Sequence, residues 1–220
     1  MDFELDALEA RVIGALLEKA VTTPDQYPLS LNALLLACNQ KTAREPVLEL
    51  AEGEVQATVD GLIRKHLVIE RSGFGSRVPK YAQRFCNTEF GTLRFDPQEL
   101  GLLCVLLLRG AQTAGELRTR TARLCRFADV DEAEAVLQRL ARRDDGPFVV
   151  LLPREPGKRE ARYMHLFCGP VDSAQELPPA AVSGVSAGPG GDRLGRLEQE
   201  LAALREEVAE LRQLLDELTR

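Results

Sequence analysis

The sequence predicts a mainly α fold with small β-hairpin wings, an α+β class with two tandem winged-helix domains and a C-terminal coiled-coil helix. Three observations predict it. Apolar residues recur at helical spacing in three segments, which two strand-like segments follow. This order then repeats, so that Val59 corresponds to Leu137 at a separation of 78 and Tyr81 corresponds to Tyr163 at a separation of 82. Leucines at alternating spacings of three and four end the chain.

The first half, residues 1–90, is predicted to be one winged-helix domain. Its predicted helices span residues 5–20, 31–39 and 50–66, and its strands span 67–70 and 78–85, joined by a Gly-rich tip at 71–77. Leu8 and Val12 belong to an apolar stripe on the first helix, so we expect a charged face opposite them. Ser30 is placed to cap the second helix, and Asn39 fits its end.

The second half, residues 91–170, is predicted to be the second winged-helix domain. Its predicted helices span residues 97–109, 113–126 and 131–143, and its strands span 147–153 and 162–167, joined by a tip at 154–161. Thr113 and Glu116 match the capping box that starts a helix. The repeat length is that of a whole domain, well above the 20 to 50 residues typical of solenoid repeats.

The end of the chain has a different composition. Residues 171–192 are rich in Pro, Gly, Ala and Ser without an apolar period, which predicts a flexible linker. Residues 193–220 carry a heptad seam, which predicts a coiled-coil helix and a homodimer formed through it. The seam consists of Leu194, Leu197, Leu201, Leu204, Val208, Leu211, Leu215 and Leu218.

Composition limits the class of protein. A hydrophobic content of 45% with 28% charged residues is typical of globular domains. The longest apolar run, residues 100–108, is far shorter than the roughly 20 residues that cross a bilayer, so we expect no membrane contact. The acidic N-terminus differs from a secretory signal, which predicts a cytoplasmic protein. The five cysteines form no CxxC pair, so we expect reduced thiols, with Cys104 in the core.

Three segments carry a resemblance to a known family: TTPDQYPLSLNALLLACNQKTAREP at 22–46, RVPKYAQRF at 77–85 and LPREPGKREARYMHLF at 152–167. Through them the chain resembles the YceH family of uncharacterised bacterial proteins, over about residues 5–170. The resemblance implies a tandem winged-helix fold. It implies no established biochemical activity.

The polar residues in 22–46 allow two interpretations. In the first, Asn39 and Gln40 satisfy backbone groups at a helix end and Arg44 pairs with an acid, so that the segment is a structural turn. In the second, Asn39, Gln40, Lys41 and Arg44 form a surface for an anion or a protein partner. Catalysis is disfavoured because general acid and base chemistry needs a positioned titrating group, and His66 and His165 are the two histidines of the chain. We expect no enzyme, no cofactor and no metal site.

A nucleic-acid surface would have to be local, because the net charge is −6 and residues 91–170 form the one segment with more basic than acidic side chains. Winged helices usually place their third helix in the major groove. Here both third helices begin with acidic residues, which repel phosphates. The strongest predicted basic patch lies instead on the middle helix and the second tip. It consists of Arg118, Arg120, Arg123, Arg126, Arg154, Lys158, Arg159 and Arg162.

Two function classes therefore remain. The fold and the local basic patch favour a DNA-binding, transcription-regulator-like protein that binds double-stranded DNA. The acidic third helices and the total charge favour a protein-interaction scaffold that uses the winged helices and the coiled coil without contacting DNA.

Overall fold

Helices dominate the part of the chain that the computed structural model describes, residues 4–71, 78–89 and 91–171. Six α-helices and small antiparallel strand pairs form this part, which confirms the predicted mainly α, α+β class. The predicted tip residues 72–77, the linker from residue 172 onward and the coiled-coil seam lie outside the described residues. Among the helices of the described part, none combines the length and the apolar character needed to cross a membrane.

The first half follows the predicted order with one added strand. Its elements are α1 (Ala7–Thr22), β1 (Leu29–Ser30), α2 (Leu31–Cys38), α3 (Glu52–Arg64), β2 (Val68–Arg71) and β3 (Lys80–Gln83). The added strand is β1, which pairs antiparallel with β3 so that Leu29 lies opposite Tyr81. A strand of two residues shows no alternating pattern in a sequence, so it was not predicted. The Ser30 cap is confirmed, since its hydroxyl accepts from the Ala33 backbone N–H at 3.3 Å.

The second half repeats this arrangement. Its elements are α4 (Pro97–Arg109), α5 (Ala114–Arg120), α6 (Val130–Arg142), β4 (Val149–Leu151) and β5 (Tyr163–His165). β4 and β5 form an antiparallel pair. Gln112, just before α5, forms an isolated bridge with Tyr163, in the position that β1 takes before α2. The capping box is confirmed, because Thr113 Oγ1 accepts from the Glu116 backbone N–H at 3.2 Å and Glu116 accepts in return at 3.0 Å.

The charged side of α1 lies largely inside the fold. Every residue from Glu9 to Glu18 is buried, including Arg11. The reason is that α1 packs on α2 and α3 with one side and on α4 with another. Its buried charges have partners within the fold: Glu9 pairs with Lys65 at 2.7 Å, and Arg11 donates to the Pro46 carbonyl at 2.7 Å.

One hydrophobic core runs through both halves. At its centre α1 and α4 approach closely, because a Cβ at Gly14 would lie 2.9 Å from a side-chain carbon of Leu108. Cys104 is 2% exposed, as predicted for a core residue. Phe85 and Phe167, which correspond at a separation of 82, pack edge to face with ring centroids 4.9 Å apart. The division of the chain into two domains at residue 90 stays a prediction. The hydrophobic core is shared by the two halves.

The repeat extends to side-chain hydrogen bonds. Tyr81 of β3 donates its hydroxyl to Gln56 of α3 at 3.4 Å, and Tyr163 of β5 donates to Glu134 of α6 at 3.5 Å. Gln56 and Glu134 are separated by 78 residues, the separation that relates the apolar positions of the two helices. Each half therefore holds the end of its strand pair to its third helix by the same contact.

A second repeated contact joins the first helix of each half to the end of its third helix. Glu9 in the capping box of α1 accepts from Lys65, which follows α3, at 2.7 Å. Glu99 in the capping box of α4 accepts from Arg143, which follows α6, at 3.1 Å. The positive charge after each third helix is thus held against a buried carboxylate of its own half.

Candidate anion and nucleic-acid interface

Arg44 is a buried structural residue. Its Nη1 and Nη2 donate to the two carboxylate oxygens of Glu18 at 3.1 and 2.6 Å, and its Nε donates to the Ala37 carbonyl at 2.9 Å. Burial raises the pKa of Glu18, but the hydrogen bonds and charge of Arg44, with the charges of Arg123 and Lys19, outweigh it and lower the pKa below its usual value. The structural interpretation of residues 22–46 therefore accounts for Arg44.

Asn39 also holds the segment together. Its side-chain amide donates to the Leu50 carbonyl and accepts from the Leu50 N–H, both at 2.9 Å. Gln40 accepts from Lys19 at 3.3 Å. Of the four residues predicted as a partner surface, Lys41 is the exposed one. A surface for a partner at this place would therefore rest on Lys41 and its neighbours rather than on Asn39 or Arg44.

The four arginines predicted on the middle helix do not share one helix. α5 ends at Arg120, and Arg123 and Arg126 lie beyond it. Thr121 ends the helix: it is fully buried and its hydroxyl lies within hydrogen-bond distance of the carbonyls of Leu117 and Arg118.

These arginines divide into two groups. Arg118 is exposed and donates to the Ala128 carbonyl at 3.2 Å. Arg126 is exposed, and its guanidinium has no hydrogen-bond or ion-pair partner among the described residues, although its backbone carbonyl accepts from the Gln98 side chain at 3.0 Å. Arg120 and Arg123 line a cavity of about 260 Å³ instead.

This cavity, here called the arginine cavity, lies between α1, α4, the end of α5 and the turn at residues 42–43. Arg109 at the end of α4 joins Arg120 and Arg123 in lining it, and Glu18 and Thr42 contribute oxygen atoms. Arg123 Nη2 donates to Glu18 at 2.5 Å. The structure therefore brings Arg109 of α4 together with Arg120 and Arg123, which the sequence places on another predicted helix.

Arg109 and Glu18 were not predicted as site residues. Ala10 and Gly14 carried a usable signal, because in α1 these small residues lie on the side of the helix away from Val12. Small residues there indicate a second packing surface, and α4 occupies it. Recognising that surface would have placed Glu18 inside the protein and the end of α4 beside it.

Most of the basic residues predicted on the second tip are exposed. Arg154, Lys158 and Arg159 are exposed and form no ion pair within the described residues. Arg162 is half-buried and pairs with Glu155 at 3.4 Å. Three of the four basic residues predicted on the tip thus present their charge to solvent.

Arg139 and Arg143, at the third helix of the second half, are engaged in ion pairs. Arg139 of α6 contacts Asp96 at 2.6 Å and Glu99 at 3.1 Å, and Arg143 contacts Glu99 at 3.1 Å. Arg143 also lies over the Phe148 ring, 5.1 Å from its centroid. Charges held in this way are less available to phosphates than those of the second tip.

The histidines lie apart from the arginine cavity. His165 on β5 is 3% exposed, and burial lowers its pKa to about 4, so it is neutral near pH 7. His66 is exposed at the end of α3. Within the described ranges no group of His, Cys, Asp and Glu has an arrangement that could hold a metal ion.

Comparison with known proteins shows extensive similarity. A sequence model of the family described as "Protein of unknown function, DUF480" matches residues 5–158. A UPF0502 protein of Aeromonas hydrophila is 59% identical over 218 residues, covering 99% of both chains. UPF0502 protein YceH of Escherichia fergusonii is 57% identical over 222 residues, covering 99% of this chain and 97% of that protein. A Vibrio cholerae UPF0502 protein is 68% identical over 174 residues, covering 79% and 81%. The first two matches continue past residue 170, where the sequence-based resemblance ended.

Proposed function

Because the chain belongs to the UPF0502 family and its two halves repeat one order of helices and strands, we propose that it is a non-enzymatic tandem winged-helix protein that binds double-stranded DNA. The contact surface is the second tip, Arg154, Lys158 and Arg159, with Arg118 and Arg126 beside α5. The fold alone would not justify a binding function, because one fold hosts many functions. The proposal therefore depends on the charge of this surface.

The exposed second tip is the observation that supports DNA binding. Arg154, Lys158 and Arg159 are exposed and unpaired within the described residues, so phosphates can neutralise them at little cost in broken ion pairs. Arg139 is committed to Asp96 and Glu99 instead. If α6 bound phosphates through Arg139, it would have to break these two pairs.

The acidic first turns of the third helices also oppose groove insertion. Glu52 and Glu54 begin α3, and Asp131 and Glu132 begin α6. The carboxylates of Glu54 and Glu132 accept from the backbone N–H groups of Ala51 and Ala128, so both are fixed at the helix start. Binding through the second tip would use phosphate contacts, which position a protein on a duplex without reading its sequence. The proposed binding is therefore largely independent of sequence.

A salt titration with charge-matched variants tests this proposal. Labelled random-sequence duplex is bound by the full chain at low salt, and the affinity is followed by fluorescence anisotropy as salt is added. The variant Lys158→Gln/Arg159→Gln should bind more weakly and lower the salt slope by up to about two units, roughly one for each phosphate that is no longer neutralised. The control Lys41→Gln/Arg64→Gln removes the same charge from the first half and should bind like the parent protein.

Two results would contradict the proposal. If the Lys41→Gln/Arg64→Gln control loses binding while Lys158→Gln/Arg159→Gln keeps it, the contact lies on the first half. If neither the parent nor any variant binds duplex at low salt, the second candidate, a protein-interaction scaffold, becomes the better explanation. Leu36 on α2 favours that candidate, because it is 65% exposed beside polar neighbours.

A further inference from the structure

The arginine cavity holds an unusual excess of positive charge in a half-enclosed space. Arg109, Arg120 and Arg123 line it, and among the described residues that line it Glu18 is the one carboxylate. Val105 and Leu108 supply an apolar wall. Apolar walls with a few converging polar groups are typical of small-molecule sites, and the volume of about 260 Å³ lies just below the usual range of roughly 300–1,000 Å³.

The Glu18 carboxylate is already fully engaged. Its Oε1 accepts from Arg44 at 3.1 Å and from Arg123 at 2.5 Å, and its Oε2 accepts from Arg44 at 2.6 Å. Lys19 adds a fourth cationic contact at 3.8 Å. Glu18 therefore cannot also neutralise Arg109 or Arg120.

Arg120 has a buried donor without an acceptor. Its Nη2 pairs with Glu116 at 3.2 Å, but its Nη1 is buried and finds no hydrogen-bond partner in the described part of the chain. A buried charged donor left unsatisfied is costly, and such groups in folded proteins usually have a specific partner. The position of Nη1 at the cavity points to an anion as that partner.

Arg109 is also incompletely paired. Its nearest carboxylate, Glu45, lies 3.9 Å away and is 60% exposed, so the ion pair is long and screened by solvent. Burial lowers the pKa of Arg109, and the positive charges of Arg120, Arg123 and Arg44 lower it further against the opposing effect of Glu45. An additional negative charge would relieve this repulsion.

We propose that the arginine cavity binds a small phosphate-bearing anion, either inorganic phosphate or a small phosphomonoester. Arg120 and Arg109 donate to the phosphate oxygens, and Arg123 contributes its charge while it stays on Glu18. Guanidinium groups suit this task because their planar donor forks match phosphate oxygens. Val105 and Leu108 would contact the organic part of a phosphomonoester. This site is separate from the proposed DNA surface at the second tip.

The test titrates the full chain with sodium phosphate and, in a second series, with phenyl phosphate. Sodium chloride at equal ionic strength is the reference for both. Binding is measured by calorimetry and by the shift in Tm. The matched control is Arg118→Gln. This variant removes the same charge from the same helix, but Arg118 is exposed and its side chain donates to the Ala128 carbonyl.

We expect phosphate to bind the parent protein and Arg118→Gln with the same Kd. Arg120→Gln and Arg109→Gln should each bind at least about tenfold more weakly, which corresponds to the removal of one charge-assisted hydrogen bond. The Tm of each variant in chloride shows whether it is folded. Having two independent variants keeps the test decisive if one of them is unstable.

The proposal is overturned if phosphate stabilises the parent no more than chloride does, or if Arg120→Gln and Arg109→Gln both bind phosphate as the parent does. It is also overturned if Arg120→Gln loses duplex binding together with phosphate binding, because the cavity would then take a backbone phosphate of DNA. Phosphate binding in a protein that binds no duplex would support the cavity and contradict the DNA proposal alone.

Discussion

Glu18 and Arg44 form an ion pair in which the side chains are 1% and 0% exposed, with the shorter N–O distance at 2.6 Å. Glu18 lies on the central helix α1, and Arg44 lies in the turn that follows α2. Arg123 approaches the same carboxylate from the second half. The pair therefore fixes the turn of the first half beside the arginine cavity.

Arg44→Met should destabilise the protein by about 3–5 kcal/mol, because it leaves the buried Glu18 carboxylate without its main partner. The double variant Arg44→Met/Glu18→Gln should recover part of this loss, since no buried charge then lacks a partner. Lys41→Ala, in the same turn but exposed, should change stability by less than about 0.5 kcal/mol. Urea unfolding measures all three, and a loss below about 1 kcal/mol for Arg44→Met would contradict the prediction.

Gly14→Ala should destabilise the protein by about 1–3 kcal/mol although alanine favours helices. The added Cβ would lie 2.9 Å from Leu108 and 3.1 Å from the Cβ of Leu107, so α1 and α4 would have to move apart. Gly53→Ala is the matched control in α3, where an added Cβ meets nothing within 4 Å. It should stabilise by about 0.5–1 kcal/mol. Thermal unfolding that ranked the two variants in the opposite order would show that the helices are not so closely packed.

Stability should fall between pH 6.5 and pH 4 because of His165. Burial lowers the pKa of this residue from 6.5 in the unfolded chain to about 4 in the folded chain. Between these two pH values the unfolded chain binds a proton at this ring and the folded chain does not, so acidification favours unfolding. At pH 5 this difference corresponds to a loss of about 2 kcal/mol. Replacing the ring by His165→Phe should remove that part of the pH dependence.

The comparison uses urea unfolding at pH 7 and pH 5. His66→Asn removes the exposed histidine and is the control, which should keep the pH dependence of the parent. If His165→Phe and the parent lose the same free energy of unfolding on acidification, the assignment to His165 is wrong.

The residues after 192, outside the described part, should make the protein a dimer. In a parallel heptad register the predicted charge pairs across the interface are attractive: Arg193 with Glu198, Glu200 with Arg205, and Glu207 with Arg212. Such exposed pairs contribute only a few tenths of a kcal/mol each, so they select the orientation while the leucine seam provides affinity. Light scattering of the full chain should give twice the mass of one chain, and a chain ending at residue 185 should be monomeric. Equal monomeric masses would refute the coiled coil.

The sequence by itself determined the order of the six α-helices of the described part and of the two strands that end each half, but not the short strand β1. The periodicity of apolar residues placed α3, α4 and α6 to within two residues, and Ser30 and Thr113 marked the starts of α2 and α5. These features are local, because a helix and its cap depend on neighbours within about four residues. The separations of 78 and 82 residues likewise predicted a repeat. The hydrogen bonds of Tyr81 and Tyr163 to their third helices follow the same separations.

Only the tertiary structure decided which charged residues are buried and which meet. Glu18 joins Arg44 across 26 residues and Arg123 across 105, and no periodic pattern encodes such pairings. α1 is enclosed on several sides because α4 packs on it at Gly14, in addition to α2 and α3. The energy of a buried charge depends on partners brought by other elements, so its place in the fold cannot be derived from its own neighbours. For the same reason Arg109 lines one cavity with Arg120 and Arg123 only because the end of α4 packs beside the end of α5.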